Sequence, residues 1–445
     1  MHEIPKRFRS EYTDRLVNFT QALGDMMIQM ELEFHSHLDI DRLARALALA
    51  LDAEPILGCR FVKRWWRPHW ERLDGAGRDV LLLAADAPEY EGFKHSSIDA
   101  CAGPQIKACL LRSAEGDRLL IKVAHEVADA AGVRDIVRTI STTYGRLARE
   151  PGYRPPPNVN ADRGLSQLMR LIPWHHYPGI LRYYFGEYLI PVCYPLGSLH
   201  LPIDKDHDRT LEYAGRSLPA DLYQGIREYG RQRGSTINDV MLASLFHAVA
   251  AASGWDRRAR LRFHVTVDLR RFLPGAMAPG VCNLSGLELM NLGTDLTDDF
   301  DYTLERVSTF MRRRKKSWIG VNDLATVAPS SVLMPDSLLR KSIVSSCQWV
   351  YNHRWPYVVT NLGSIEPGDV TFDAPPAAAR VLPPIEYPPA IIFSFSSYRD
   401  SLDLRVGTWP CSKGPIEDCL DQLVGVLGGL SSASPAGEPA SAAAA

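Results

Sequence analysis

The chain has 445 residues, 46% of them hydrophobic and 23% charged, with a formal net charge of -2. This is ordinary globular composition, with apolar surface for two or three folding units. The near-neutral charge speaks against a nucleic-acid binder, which needs a basic excess to neutralise phosphates.

Residues 26–35 alternate: Ile28, Met30, Leu32 and Phe34 share one face, and Gln29, Glu31, Glu33 and His35 the other. That pattern predicts a half-buried strand. Asp39 is placed to cap a helix over residues 41–53, with Leu43, Leu47 and Leu51 on one stripe. Residues 119–123 predict a short strand, and Val133, Ile136, Val137 and Ile140 then recur at helical spacing. Residues 151–210 are rich in Pro and aromatics and read as irregular, with a crossover into a second half near 204–208. Thr236 with Asp239 forms a capping-box pattern opening a buried helix to about residue 252. Residues 261–270 alternate as the longest clear strand, and residues 297 or 298 open a helix ending near 317. Strand runs recur at 358–360, 391–396 and 402–406, the last two joined by a hairpin turn at 398–401. Residues 431–445 are Ser/Ala/Pro-rich and predict a disordered tail.

The chemistry concentrates where the 119–123 strand gives way to a helix. Leu119, Ile121, Val123 and His125 share a parity, so a core-facing strand aims His125 inward at its end. Partial desolvation lowers a histidine's pKa, and a neutral imidazole can take a proton from a nucleophile. Asp129, four residues on, can orient the ring or lock the loop through a distant cation. The HxxxD spacing fixes only two residues, and an inward histidine is more often a satisfied core residue than a base.

The wider context adds to it. Residues 117–132, DRLLIKVAHEVADAAG, resemble the active-site strand and HHxxxDG or HxxxDG loop of the condensation-domain superfamily. That superfamily includes peptide-synthetase condensation domains, plant-type HxxxD acyltransferases and chloramphenicol acetyltransferase. Residues 26–61, 103–111, 236–243, 267–274 and 281–286 resemble its other segments in the expected order, over roughly residues 10–430. The resemblance implies an α/β protein of two chloramphenicol-acetyltransferase-like halves, 1–205 and 206–430, forming a V around a central tunnel. It implies that His125 is the general base for moving an acyl group from a thioester to an alcohol or amine. The donor would be acyl-CoA or an acyl-phosphopantetheine carrier, meeting a small-molecule acceptor, with no bound cofactor. Carrier-dependent amide formation and a non-catalytic binding protein are the alternatives. Asp129 would be structural, paired with an arginine of the second half, for which Arg270 is chosen. Asn283, Ser394 and Ser396 are candidate substrate contacts. Ala124 stands where the longer motif has its first histidine, and Ala130 where it has glycine. The latter either narrows the space beside His125 or leaves Gly132 to make the turn.

Several other features stand out. Residues 312–316, RRRKK, suit CoA phosphates or an acidic carrier, but also a solvated helix C-terminus. The aromatic segment 168–194 suits an acyl tunnel, a membrane surface or core packing, and 65–70, WWRPHW, suits a cover over an edge of the first half. His175-His176 has no ligand partner at metal spacing, so no metal site is expected. The eight cysteines, Cys59, Cys101, Cys109, Cys193, Cys282, Cys347, Cys411 and Cys419, form no C-x-x-C pair and read as reduced thiols of a cytoplasmic protein. No serine-hydrolase elbow, P-loop or dinucleotide fingerprint is present. A monomer without a signal sequence or transmembrane helix is expected, with peripheral membrane contact left open.

Overall fold

The computed structural model describes residues 3–189, 200–203, 210–254, 262–293, 298–353, 357–388 and 390–433. Two mixed sheets organise them. The first has five strands in the order Ala378–Leu382, Met27–Glu33, Gly116–Ala124, Ile106–Ser113 and Leu81–Ala84. The second has six, in the order Ser285–Asn291, Arg262–Asp268, Tyr357–Ile365, Ile391–Tyr398, Ser401–Thr408 and Glu212–Leu218. Each sheet carries its own core. Leu119, Ile121 and Val123 pack with Leu43, Leu47, Ile136 and Ile140 of two helices. Phe263, Val265, Phe393 and Leu404 pack with Leu242, Phe246, Leu420 and Leu423. The result is a two-lobed α/β arrangement.

The local signals act as expected at several ends. Asp39 accepts the Arg42 amide at 3.0 Å and caps helix Ile40–Ala53. Thr236 and Asp239 form a reciprocal capping box on helix Ile237–Ala252, whose flanks are buried on nearly every side. The hairpin between Ile391–Tyr398 and Ser401–Thr408 turns through Arg399 at φ 52. The helix expected from 297 or 298 runs instead over Phe300–Lys315, capped by Asp299.

The strand expected to be half-buried is buried on both faces. Gln29 and Glu31 are 0% and 2% exposed, because helix Ala87–Lys94 lies near their polar face. Glu31 collects Lys94 at 3.1 Å, Arg118 at 3.0 Å and Arg380 at 3.1 Å, and accepts the Tyr90 hydroxyl at 3.0 Å. Burial alone would raise its pKa, but the three cations hold it down to about 2. Polar alternation here reports a buried charge cluster, not solvent.

After Ile365 the chain leaves the second sheet. Ala378–Leu382 pairs antiparallel with Met27–Glu33, setting Val381 against Met30, and Ile385–Glu386 pairs with Gly24–Asp25. A division at 205/206 gives this strand to the second half by sequence order, yet it completes the first sheet. Helix Pro410–Ala433 takes up residues 431–433 of the expected tail; 434–445 lie outside the described residues. Among the described residues, no single helix is long and apolar enough to cross a membrane.

Candidate functional site

The strand Gly116–Ala124 pairs Ala124 with Met27, and the ladder extends one residue further, where the His125 amide donates to the Met26 carbonyl at 2.9 Å. A tight turn follows, with the Val127 amide on the Ala124 carbonyl at 3.1 Å, and Asp129 then caps helix Ala130–Arg149. Leu119, Ile121 and Val123 face the core as parity predicts, while His125, at the strand's end, keeps partial solvent access.

His125 Nδ1 lies 2.8 Å from the Ala128 carbonyl. A carbonyl only accepts, so Nδ1 carries the proton and Nε2 presents a lone pair. Burial lowers the His125 pKa below the ordinary imidazole value, against the opposing Ala128 hydrogen bond and Asp129 charge. The ring is therefore neutral at pH 7. Any rate that depends on it should fall as pH drops, with its midpoint below the ordinary imidazole value of about 6.5. A fall centred above pH 7 in a pH–rate profile contradicts this.

Asp129 spends both oxygens on structure. Oδ1 accepts the Gly132 amide at 2.8 Å; Oδ2 accepts Arg270 Nη1 at 2.7 Å and the Leu284 amide at 2.7 Å. Burial works to raise its pKa, but Arg270 and these donors prevail and lower it. Arg270 also donates to the Cys282 carbonyl at 2.9 Å. It sits not on the strand, as parity suggested, but in the 3-10 turn Leu269–Phe272 capped by Asp268. The chain bends after Asp268, which turns Arg270 toward the other lobe. Gly132 makes no left-handed turn. It is helical, and its missing Cβ admits the Cys282 carbonyl, which an added carbon would meet at 3.1 Å. Gly132→Val should lower stability by about 1–3 kcal/mol through this contact, a fall of about 1–3 °C in thermal midpoint for a chain of this length; an unchanged melting curve contradicts it.

Of the other candidates, the structure brings one to His125. Buried Asn283 donates Nδ2 to the His125 carbonyl at 3.2 Å. Its 3.4 Å approach to Nδ1 joins two donors and adds no bond. Asn283→Ala should lower any His125-dependent rate by about tenfold, as one hydrogen bond predicts; an unchanged rate would remove Asn283 from the site. Ser394 donates its hydroxyl to the Arg405 carbonyl at 2.9 Å, and Ser396 is buried in the same strand opposite Asp403. Among the described residues, no hydrogen bond joins either serine to His125.

Sequence reasoning passed over two residues here. Arg163, in the segment read as irregular, donates to the Val127 carbonyl at 3.2 Å and the Val281 carbonyl at 2.8 Å, and pairs with Asp14 at 3.0 Å. It ties the HxxxD loop to the second lobe. Glu126 is fully buried, accepts Asn18 at 3.2 Å and Gln21, and keeps Oε2 without a partner. Burial pushes its pKa up to about 7. The folded chain thus holds a proton there that the unfolded chain releases above about pH 4.3, so this group lowers stability as pH rises from 4.3 through 7. Glu126→Gln should therefore raise the melting temperature relative to wild type more at pH 8 than at pH 5. An equal difference at both pH values contradicts a buried, protonated Glu126.

The basic run at 312–316 is not a uniformly solvated face. Arg314 turns inward to Glu288 at 2.6 Å, while Arg312 and Arg313 are exposed. With Tyr183, Phe185 and Trp318 it borders a cleft of about 770 Å³. Leu168, Ile172 and Ile180 of the aromatic segment pack in the second core, and Trp174 projects outward; residues 190–194 lie outside the described residues. Among the described residues, no cluster of three or more His, Cys, Asp or Glu side chains could hold a metal ion.

No family model and no curated protein matches the chain. Solved structures do. The trichothecene 15-O-acetyltransferase from Fusarium sporotrichioides superposes with a TM-score of 0.70 at 14% identity, covering 96% of this chain and 94% of that one. The epimerization domain from the third module of tyrocidine synthetase B gives 0.69 at 14% identity, covering 97% and 98%. Polyketide synthase associated protein 5 from Mycobacterium tuberculosis gives 0.63 at 14% identity, covering 94% and 98%. The two-lobed chain thus shares its fold with these three structures.

Proposed function

We propose that the protein transfers an acyl group from a thioester, on CoA or an acyl carrier protein, to an alcohol or amine, with His125 as the general base. One observation carries the reading: the Ala128 carbonyl fixes the proton on His125 Nδ1, leaving Nε2 bare on a neutral, partly accessible ring between the lobes. Nε2 takes the acceptor's O–H or N–H proton as the acceptor oxygen or nitrogen attacks the thioester carbonyl. The tetrahedral adduct collapses, the C–S bond breaks, and the imidazolium returns its proton to the leaving thiolate. Asp129, committed to Arg270 and two backbone amides, holds the loop rather than the ring. Asn283 is a positioning residue for His125. The fold shared with an acetyltransferase supports the reading.

The test is thiol release from a panel of acyl-CoAs and acyl carrier proteins, each offered alcohols and amines, with product mass confirmed. An acylated acceptor supports the proposal, and a carrier-only response assigns the donor. Binding of donors with no thiol release above the uncatalysed rate would favour a non-catalytic binding protein.

A further inference from the structure

Two short segments far apart in sequence meet on one surface away from His125. Residues 63–68 form the tip of the hairpin between strands Cys59–Val62 and His69–Arg72. Residues 332–341 lead into helix Asp336–His353. The Asp336 amide donates to the Trp65 carbonyl at 3.0 Å, and the Asp336 carboxylate pairs with Arg15 at 2.6 Å, which holds the two segments side by side.

The surface is apolar at its apex and cationic around it. Trp65 is 69% exposed, Leu333 79%, Val332 56% and Leu338 54%. The Trp65 and Trp66 rings lie 5.6 Å apart, and Trp66 too is exposed, so the pair projects rather than covering the lobe; buried Trp70 fills that role. Lys63, Arg64, Arg67, Arg340 and Lys341 are all exposed beside them. The one carboxylate within these two segments is Asp336, which is buried against Arg15.

We propose that this surface docks the protein on an anionic lipid bilayer. The indoles and Leu333 enter the headgroup boundary, where an amphipathic ring is most stable, and the five cations meet lipid phosphates and carboxylates. The apolar groups stand on a hairpin tip and a turn, a shape that enters a soft interface, and the surrounding charge selects an anionic one. Helix Tyr12–Thr20 lies beneath, with buried Arg15 paired to Asp336 under this surface and Asn18 bonded to Glu126 beside His125. The docked face is therefore one short helix from the candidate site.

Sedimentation of the full chain with phosphatidylcholine vesicles, with and without phosphatidylserine, tests this. Binding should require phosphatidylserine and weaken with salt. The triple variant R64Q/R67Q/R340Q, with an unchanged melting temperature, should bind about 100-fold more weakly. Trp65→Ser with Leu333→Ser should weaken binding even at low salt. Quenching by brominated lipid should fall in Trp65→Phe/Trp66→Phe relative to wild type. Absence of phosphatidylserine-dependent binding, or equal binding by wild type and both variants, overturns the proposal. So does a dimer in solution that Leu333→Ser dissolves while vesicle binding is absent, which would make this face a self-interface.

Discussion

Replacing Asp129 by alanine is expected to lower stability by about 3–5 kcal/mol. The carboxylate satisfies the Gly132 amide, Arg270 Nη1 and the Leu284 amide, so removing it leaves a cation whose side chain is 5% exposed with only the Asp268 carboxylate, at 3.2 Å, as counter-charge. It also removes the cap of the helix that carries the loop, about 1 kcal/mol by itself. Chemical denaturation at pH 7 checks the magnitude. Asp129→Ala/Arg270→Met should recover part of the loss, because the buried charge leaves with its partner. The folded pKa of Asp129 is lowered, so its contribution is complete above about pH 3.9 and is lost as pH falls through the folded value. The gap between wild type and variant should thus persist from pH 5 to 8 and close only in acid. A loss under about 1 kcal/mol would show that the pair does not hold the lobes together.

His125→Ala is expected to lower the acyl-transfer rate by about 10²–10⁴, the range for a positioned general base. The loss should fall on kcat more than on KM, because Nε2 acts on a proton that moves only in the transition state. Stability should change far less than in Asp129→Ala: the side chain gives up one hydrogen bond, to the Ala128 carbonyl, and is only partly buried. Opposite outcomes for two residues four apart, one losing fold and one losing rate, separate the holding role from the chemical one. A His125→Ala variant that loses affinity for the acceptor at unchanged kcat would make the ring a binding group.

The sequence was most legible where a local pattern has one structural solution. Thr236 with Asp239 and the cap at Asp39 act within a single turn, and both are found as read. Strand parity placed Leu119, Ile121 and Val123 on the core face, and the recurrence of Val133, Ile136, Val137 and Ile140 marked the helix that follows. The Asp129–Arg270 proximity joins residues 141 apart; no local pattern encodes it, and it came from a resemblance to known segments. Alternation failed at Glu31, because burial of a polar face looks the same in sequence as exposure when cations from Lys94, Arg118 and Arg380 converge in space. The Ala378–Leu382 strand was missed because prolines at 375, 376, 383 and 384 flank a run of five residues. Its partner lies some 350 residues earlier, at Met27–Glu33. Glu126 and Arg163 carry no signal beyond their charge, and only the fold shows that one is buried and the other bridges the lobes.

The most direct test of the central claim is the ratio of wild-type to His125→Ala acyl-transfer rates on one donor and acceptor, followed across pH. A neutral imidazole acting through Nε2 predicts a ratio of at least about 100 at pH 8 that shrinks as pH falls below about 6.5, where the wild-type base is lost and the variant has none to lose. A ratio near one, or a large ratio that does not change with pH, would contradict His125 as the base.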